Sequence, residues 1–108
     1  MNPGLLFLAL ACTPDPHDSG ADCTDATALT WANWADGFFA NYCRACHSLG
    51  TPDRYDAPEG VDFDSEAEVR NWAERIRVRV LDEGTMPVGG GVYESDLQRL
   101  QEYLSCSL

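Results

Sequence analysis

The sequence has few basic residues and no long apolar segment. Lys and Arg together number 7, against 18 Asp and Glu, which gives a net charge of −11 at neutral pH. Nucleic acids and anionic lipid surfaces bind proteins through basic patches that replace their counterions, so we expect neither as a partner. A partner protein with a basic or neutral docking face fits this charge, although the acidity also fits a role in solubility alone.

The chain also lacks an internal repeat and any segment with convincing strand alternation. Its 108 residues allow one domain, and a domain this small buries too little apolar surface to be robust without a disulfide or a cofactor. Hydrophobic residues make up 44% and charged residues 23%, which are ordinary values for a folded chain. We therefore expect one reinforced all-α domain.

The N-terminus predicts export. The apolar run from Leu5 to Ala11 is too short to span a bilayer but is followed at once by Cys12 and a polar stretch. This is the pattern of a secretory signal, and Ala9 to Cys12 resembles a bacterial lipobox. We expect a signal peptide over residues 1–11, lipidation of Cys12, a flexible tether over 12–28 and a folded domain over 29–108. A disordered apolar terminus is the alternative.

Hydrophobic periodicity predicts three main helices separated by Gly- and Pro-rich loops. The first runs from about Trp31 to Cys43, with Thr30 as its N-cap. The apolar positions along the three helices recur every three or four residues: Ala35, Phe38, Phe39 and Tyr42; Val69, Trp72, Ile76 and Val80; Leu97, Leu100 and Leu104.

The limits of the second and third helices are marked by capping and stop signals. Ser65 and Glu68 form the pattern of a capping box, and Gly84 is the expected stop. Ser95 with Gln98 predicts a second capping box, at the start of the third helix.

One pentapeptide, Cys43-Arg44-Ala45-Cys46-His47, concentrates the chemistry. Two thiols separated by two residues can reach the two vinyl groups on one edge of a porphyrin and form thioethers. The following histidine is then carried beneath the ring, where its imidazole can ligate iron. The motif predicts one covalent haem c.

Two other readings of the motif stay open. A thioredoxin-like dithiol needs a strand before the motif, whereas the approach here is helical. A zinc site needs a second pair of ligands at finger-like spacing, which neither His17 nor the other cysteines supply.

A haem iron held by His47 has a sixth position, for which Met86, His17 and Met1 are the candidates. Met1 lies in the removable terminus, and His17 lies in the polar tether as a solvated side chain. Met86 precedes Pro87 in a loop able to fold over the far face of a ring. A lone methionine in a loop is more often a gap filler, but the upstream motif favours Met86 as the axial ligand.

From residue 30 to 108 the chain resembles a class I, monohaem cytochrome c. The resemblance rests on the haem motif, on Phe39 and Ala35 four and eight residues before its first cysteine, on Tyr103 in the last helix, and on Met86-Pro87. Residues 54–64 more narrowly resemble a stretch in cytochrome-c-like lipoproteins of myxobacteria and their relatives. The resemblance implies a small cytochrome c fold of three main helices around one haem, with close crossing of the first and last helices at Ala35.

The resemblance also implies supporting residues. A proline carbonyl after the motif accepts the hydrogen bond of the proximal imidazole in this family, which suggests Pro58, with Pro52 as the second choice. Arg54 is a candidate contact to a haem propionate, with a solvated surface arginine as the alternative. The haem pocket would be lined by Phe38, Tyr42, Trp72 and Ile76, unless these are simply core.

Because the first and last helices lie together in the implied fold, Cys23 and Cys106 are a candidate disulfide, which export permits. Two free thiols near the termini are the alternative.

The function expected from this reading is single-electron transfer by a monomeric, membrane-anchored lipoprotein on the periplasmic side, rather than enzymatic catalysis. His/Met ligation and an apolar pocket both raise the haem reduction potential. The alternatives are a haem peroxidase or a gas or redox sensor with an open or labile sixth site.

Overall fold

The described part of the chain is helical and contains no β-strand. It comprises Cys23 and residues 28–108 of a computed structural model. The α-helices are α1 (Asp36–Tyr42), α2 (Glu66–Ile76) and α3 (Glu94–Cys106). A π-helical turn, Trp31–Ala35, leads directly into α1, and another, Arg77–Asp82, continues α2. The helical content of these residues confirms the predicted all-α class.

The N-terminal predictions lie outside the described residues. They concern the signal peptide over 1–11, the lipidated Cys12 and most of the tether over 12–28, including His17. Within the tether, the structure describes only Cys23 and residue 28. Among the residues that the structure describes, no helix has the length and apolar character that a membrane span requires. Export and lipid anchoring therefore stay predictions.

The first helical segment begins at the predicted N-cap. The Thr30 hydroxyl accepts a hydrogen bond from the Asn33 backbone N–H at 3.0 Å, and the Asn33 side chain accepts one from the Thr30 backbone N–H at 2.7 Å. This reciprocal pair satisfies two N–H groups that a helix start otherwise leaves unpaired. Helix α1 ends at Tyr42, one residue before the predicted end, because the φ of −126° at Cys43 departs from helical backbone.

Helix α2 also begins where predicted, but the capping box is only half formed. The Ser65 hydroxyl accepts from the Glu68 backbone N–H at 3.3 Å. The Glu68 carboxylate accepts a hydrogen bond from that same hydroxyl, at 2.9 Å, so it is not the reciprocal partner of the Ser65 backbone. The predicted stop at Gly84 is confirmed, since its φ of +65° lies in the left-handed region that glycine adopts readily.

The predicted start of the third helix, a capping box of Ser95 and Gln98, is wrong. Helix α3 begins at Glu94, and the extended Tyr93 is its N-cap without a side-chain hydrogen bond. The Tyr93 carbonyl accepts the first helical hydrogen bonds, from the backbone N–H groups of Asp96 and Leu97 at 2.9 and 3.0 Å. Acidic side chains in the first turn, rather than a hydroxyl cap, complement the positive end of the helix dipole.

A small core lies between the helices. Its buried apolar members are Ala35, Phe38, Phe39, Phe63, Val69, Ile76, Val80, Leu100, Tyr103 and Leu104. More apolar side chains pack against this core half-buried than are buried within it, among them Trp34, Tyr42 and Trp72. The folded chain thus leaves much of its apolar side-chain surface only partly removed from water.

Helix α3 lies against the first helical segment with its end near that segment's start. The rings of Trp34 and Tyr103 are 6.1 Å apart between centroids. At the other end of the contact, the Tyr42 hydroxyl donates to the Asp96 carboxylate at 2.8 Å, and this hydrogen bond raises the pKa of Tyr42. The fully buried Ala35 belongs to the same core as Tyr103, as expected for a small residue in this region.

A disulfide joins Cys23 to Cys106 in the last turn of α3, as predicted. Their Cα atoms are 5.5 Å apart, and the two residues are separated by 83 positions in the chain. The bond therefore encloses all three helices in one covalent loop, which limits the conformational freedom of the unfolded chain.

The long loop between α1 and α2, residues 48–64, is closed at its ends by Asp64. Its carboxylate accepts from the Ser48 hydroxyl at 2.6 Å and from the Leu49 backbone N–H at 2.9 Å. Both hydrogen bonds favour the ionised form and lower the pKa of Asp64. The loop is thereby held as a compact unit beside the end of α1.

Breaking the disulfide should reduce stability. The variant Cys106→Ser should lose up to about 4.5 kcal/mol in free energy of unfolding, the loop-closure value for a loop of this length. Urea unfolding of wild type with and without reductant gives the same comparison. The reductant should destabilise wild type and leave Cys106→Ser unchanged; equal stability of oxidised and reduced wild type would contradict the prediction.

Replacing Asp64 by Asn should weaken the loop closure in a pH-dependent manner. The folded-state pKa of Asp64 is lowered, so its ionised carboxylate contributes fully to the free energy of unfolding at a pH well above the ordinary carboxyl pKa of about 3.9. This contribution is lost as the pH falls through the folded-state pKa. The loss in Asp64→Asn should stay below about 1 kcal/mol at pH 7, since the group is exposed, and should vanish near pH 2. Unfolding free energies across pH measure this, with exposed Asp82→Asn as the control; a pH-independent difference would contradict it.

Candidate functional site

The residues of the pentapeptide form a single turn that continues from α1. The backbone N–H groups of Cys43 and Arg44 both donate to the carbonyl of Phe39, at 3.0 and 2.9 Å. Those of Cys46 and His47 both donate to the carbonyl of Cys43, at 3.2 and 2.9 Å. Two thiols and one imidazole are thus carried together on one hydrogen-bonded turn.

The two thiols of this turn, Cys43 and Cys46, are both free and half-buried. Burial raises the pKa of the Cys43 thiol to about 12, and the nearby charge of Arg44 offsets this only in part. A thiol in this environment is protonated at neutral pH. Dithiol oxidoreductases instead use a thiolate of depressed pKa, so the environment of Cys43 argues against the thioredoxin-like alternative.

The imidazole of His47 is oriented by a backbone carbonyl. Its Nδ1 lies 2.8 Å from the carbonyl oxygen of Val61. A carbonyl can only accept, so Nδ1 carries a hydrogen, and in the neutral imidazole Nε2 then presents its lone pair. No hydrogen-bond partner within residues 28–108 or at Cys23 occupies Nε2. A histidine held at one nitrogen and free at the other is arranged as metal-ligating histidines are.

The predicted partner of this imidazole, Pro58 with Pro52 as second choice, is wrong. Residues 58–61 form a turn in which the Val61 backbone N–H donates to the Pro58 carbonyl at 3.2 Å. Gly60 makes this turn possible, with φ of +87°. The Pro58 carbonyl is therefore used inside the loop, and the carbonyl of Val61 meets the histidine instead.

Phe63 holds the loop against His47 and α1. Its backbone N–H donates to the His47 carbonyl at 3.0 Å, and its ring lies 5.0 Å from the imidazole between centroids. The ring is buried and also contacts Phe39 in α1, at 5.7 Å. One buried aromatic residue thus fixes the loop to both the helix and the histidine.

Arg44, the second residue of the pentapeptide, braces the same turn. Its Nε donates to the Phe63 carbonyl at 2.8 Å, and its Nη2 forms an ion pair with Asp36 at 2.6 Å. The guanidinium also lies over the ring of Trp31, 5.3 Å from the centroid. Sequence reasoning missed the roles of Arg44 and Phe63, because the loop holds several apolar residues and no local pattern distinguishes Phe63 among them.

The predicted contact of Arg54 to a propionate stays a prediction, and the structure places this side chain within its own loop. Its guanidinium donates to four carbonyls of its own loop: Ser48 at 2.9 Å, Ala57 at 3.3 Å, Pro58 at 2.8 Å and Val61 at 3.4 Å. It also lies 2.7 Å from a carboxylate oxygen of Asp62. Four of the five guanidinium N–H groups are thus hydrogen-bonded within the loop, and the Asp62 carboxylate lies beside the nitrogen that carries the fifth.

Met86 lies at the far end of the long helical segment that begins with α2. Its backbone N–H donates to the Arg79 carbonyl at 3.1 Å, so the loop leaves the helix at a defined point. The side chain is half-buried and packs against the same core as Cys43 and Trp72. The structure thus gathers two predicted haem-contacting residues, Met86 and Trp72, around the core that the pentapeptide also borders; their roles as ligand and pocket wall stay predictions.

The zinc alternative gains no support from the described residues. Within residues 28–108 and Cys23, no three side chains of His, Cys, Asp or Glu converge as a metal site of protein ligands. A tetrahedral zinc site needs four such ligands in most structural cases. The two thiols and the imidazole of the turn therefore do not form a zinc site by themselves.

Comparisons with protein-family models, with curated proteins and with solved structures give no match for this chain. The interpretation of the site consequently depends on the geometry of its own residues.

Proposed function

We propose that the chain is a single-electron carrier with a small cytochrome c fold, binding one covalent haem c through Cys43 and Cys46. His47 and Met86 would be the axial ligands of its iron. The observation that carries the proposal is the free Nε2 of His47, held in place through Nδ1 on the same turn as two free, half-buried thiols. When bound, the haem supplies a one-electron centre, since its iron interconverts between two oxidation states.

The chemistry of the donor set fits a haem. The thiols of Cys43 and Cys46 provide two sulfurs for thioether bonds at the spacing of a c-type attachment motif, and His47 follows immediately. Fixing the imidazole through the Val61 carbonyl sets the tautomer that ligation needs and limits rotation of the ring. A rigid ligand keeps the same geometry in both oxidation states, which favours fast electron exchange.

The half-buried apolar side chains support the same proposal. Tyr42, Trp72 and Met86 pack against the core yet remain partly exposed. A flat apolar group beside them would remove this surface from water, at about 25 cal/mol per Å² covered. The same side chains would exclude water from the group and so raise its reduction potential.

The proposed location is the periplasmic side of the membrane, with a lipid anchor at Cys12. There the protein would be a monomer that exchanges electrons with redox proteins. The Cys23–Cys106 disulfide supports export, because such bonds persist in oxidising compartments. The net charge of −11 supports a partner with a basic or neutral docking face.

Redox titration of the haem-loaded full chain tests the electron-carrier role. We expect a reversible one-electron transition and a six-coordinate, low-spin spectrum in both oxidation states. A five-coordinate, high-spin spectrum together with peroxide turnover or tight gas binding would contradict the carrier and support the haem enzyme or sensor.

The variant Met86→Ala should lower the reduction potential by on the order of 0.1 V, part of the roughly 0.8 V range that axial ligands set. It should also open the iron to carbon monoxide and cyanide. Val88→Ala is the matched control, since Val88 lies in the same loop and is 86% exposed. If Met86→Ala and Val88→Ala behave alike, Met86 is not the ligand.

A further inference from the structure

The loop after the pentapeptide contains an ion pair with one buried partner that the proposed function does not use. Asp62 is 3% exposed and is the one buried polar side chain of the described residues. Its Oδ1 lies 2.7 Å from Nη1 of Arg54, but off the hydrogen-bond direction, so charge rather than a hydrogen bond joins them. Burying such a pair adds little stability, because loss of hydration offsets the attraction.

This ion pair adjoins the carbonyl that orients His47. The Val61 carbonyl oxygen lies 2.8 Å from His47 Nδ1 and 3.4 Å from Arg54 Nη2, so one acceptor serves both donors. Asp62 is the next residue in the chain after Val61. A positive and a negative charge are thus fixed beside a single peptide carbonyl whose other contact is the imidazole.

We infer that the Arg54–Asp62 pair sets the strength of the hydrogen bond that the Val61 carbonyl accepts from Nδ1–H of His47. Through this hydrogen bond the pair sets the basicity of the imidazole as an iron ligand. This inference rests on the proposed function. The cation of Arg54 withdraws electron density from the carbonyl and weakens its hold on Nδ1–H, whereas the carboxylate of Asp62 counteracts that effect. Both are positioning residues, because they act through Val61 and His47 rather than on the haem.

The sign of the effect follows from the ligand's electron donation. A stronger Nδ1–H hydrogen bond makes the imidazole a more basic ligand, which favours the oxidised iron and lowers the potential. Asp62→Asn leaves the Arg54 cation unbalanced and should raise the potential. Arg54→Gln leaves the Asp62 carboxylate unbalanced and should lower it.

Each change should alter the ratio of reduced to oxidised protein roughly tenfold at a fixed solution potential, equivalent to about 59 mV for one electron. The controls are Glu74→Gln and Arg75→Gln, which make the same charge changes at exposed positions of α2 and should shift the potential far less.

A readout without haem separates this inference from the proposed function. In the haem-free full chain, the proton on His47 Nδ1 can be followed by nuclear magnetic resonance. Its signal should move upfield in Asp62→Asn, where the hydrogen bond weakens, and downfield in Arg54→Gln. Failure of the chain to take up haem overturns the proposed function, while the two proton shifts still decide the effect of the pair on His47.

A purely structural role makes a different prediction. Loosening the loop would shift the potential in the same direction in both variants, and that result, or no shift in either, overturns the inference. Arg54→Lys covers the case in which Arg54→Gln does not fold. It keeps the charge but not the four carbonyl contacts, so its potential should stay close to wild type; a shift as large as the one predicted for Arg54→Gln would overturn the inference.

Discussion

The hydrogen bond between His47 Nδ1 and the Val61 carbonyl is the contact on which the candidate site depends. It fixes the tautomer of the imidazole and directs Nε2 away from the loop. For Val61 to be there, Phe63 must be buried against α1, and residues 48–64 must fold around the guanidinium of Arg54. The turn after α1 therefore positions the histidine, and the loop orients its imidazole ring.

The small size of this domain explains why it is reinforced by a disulfide. Within residues 28–108 the buried core comprises ten apolar side chains, and the disulfide from Cys23 to Cys106 adds stability by restricting the unfolded chain. The remaining apolar surface, at Tyr42, Trp72 and Met86, is partly exposed, which is costly for a domain without a further apolar group beside it. A covalent haem would meet that need and at the same time supply the redox centre.

Sequence reasoning succeeded where the determining interactions are local. The N-caps at Thr30 and Ser65 and the stop at Gly84 depend on side chains and dihedral angles within a few residues. Tyr93 replaced Ser95 as the N-cap because acidic residues in the first turn make a hydroxyl cap dispensable. Pro58 was misassigned for another reason: the carbonyl that meets His47 depends on how a long loop closes on itself. That closure is decided by the buried Phe63 and Asp62, which no local pattern marks as central.

The central claim is that Cys43 and Cys46 bind haem covalently. Mass spectrometry of the full chain produced in a host that attaches c-type haem tests this most directly. Wild type should carry the mass of one haem after denaturation, the double variant Cys43→Ser/Cys46→Ser should carry none, and Cys23→Ser/Cys106→Ser should retain it. A wild-type chain at its bare polypeptide mass, from a host that loads a control cytochrome, would contradict the account.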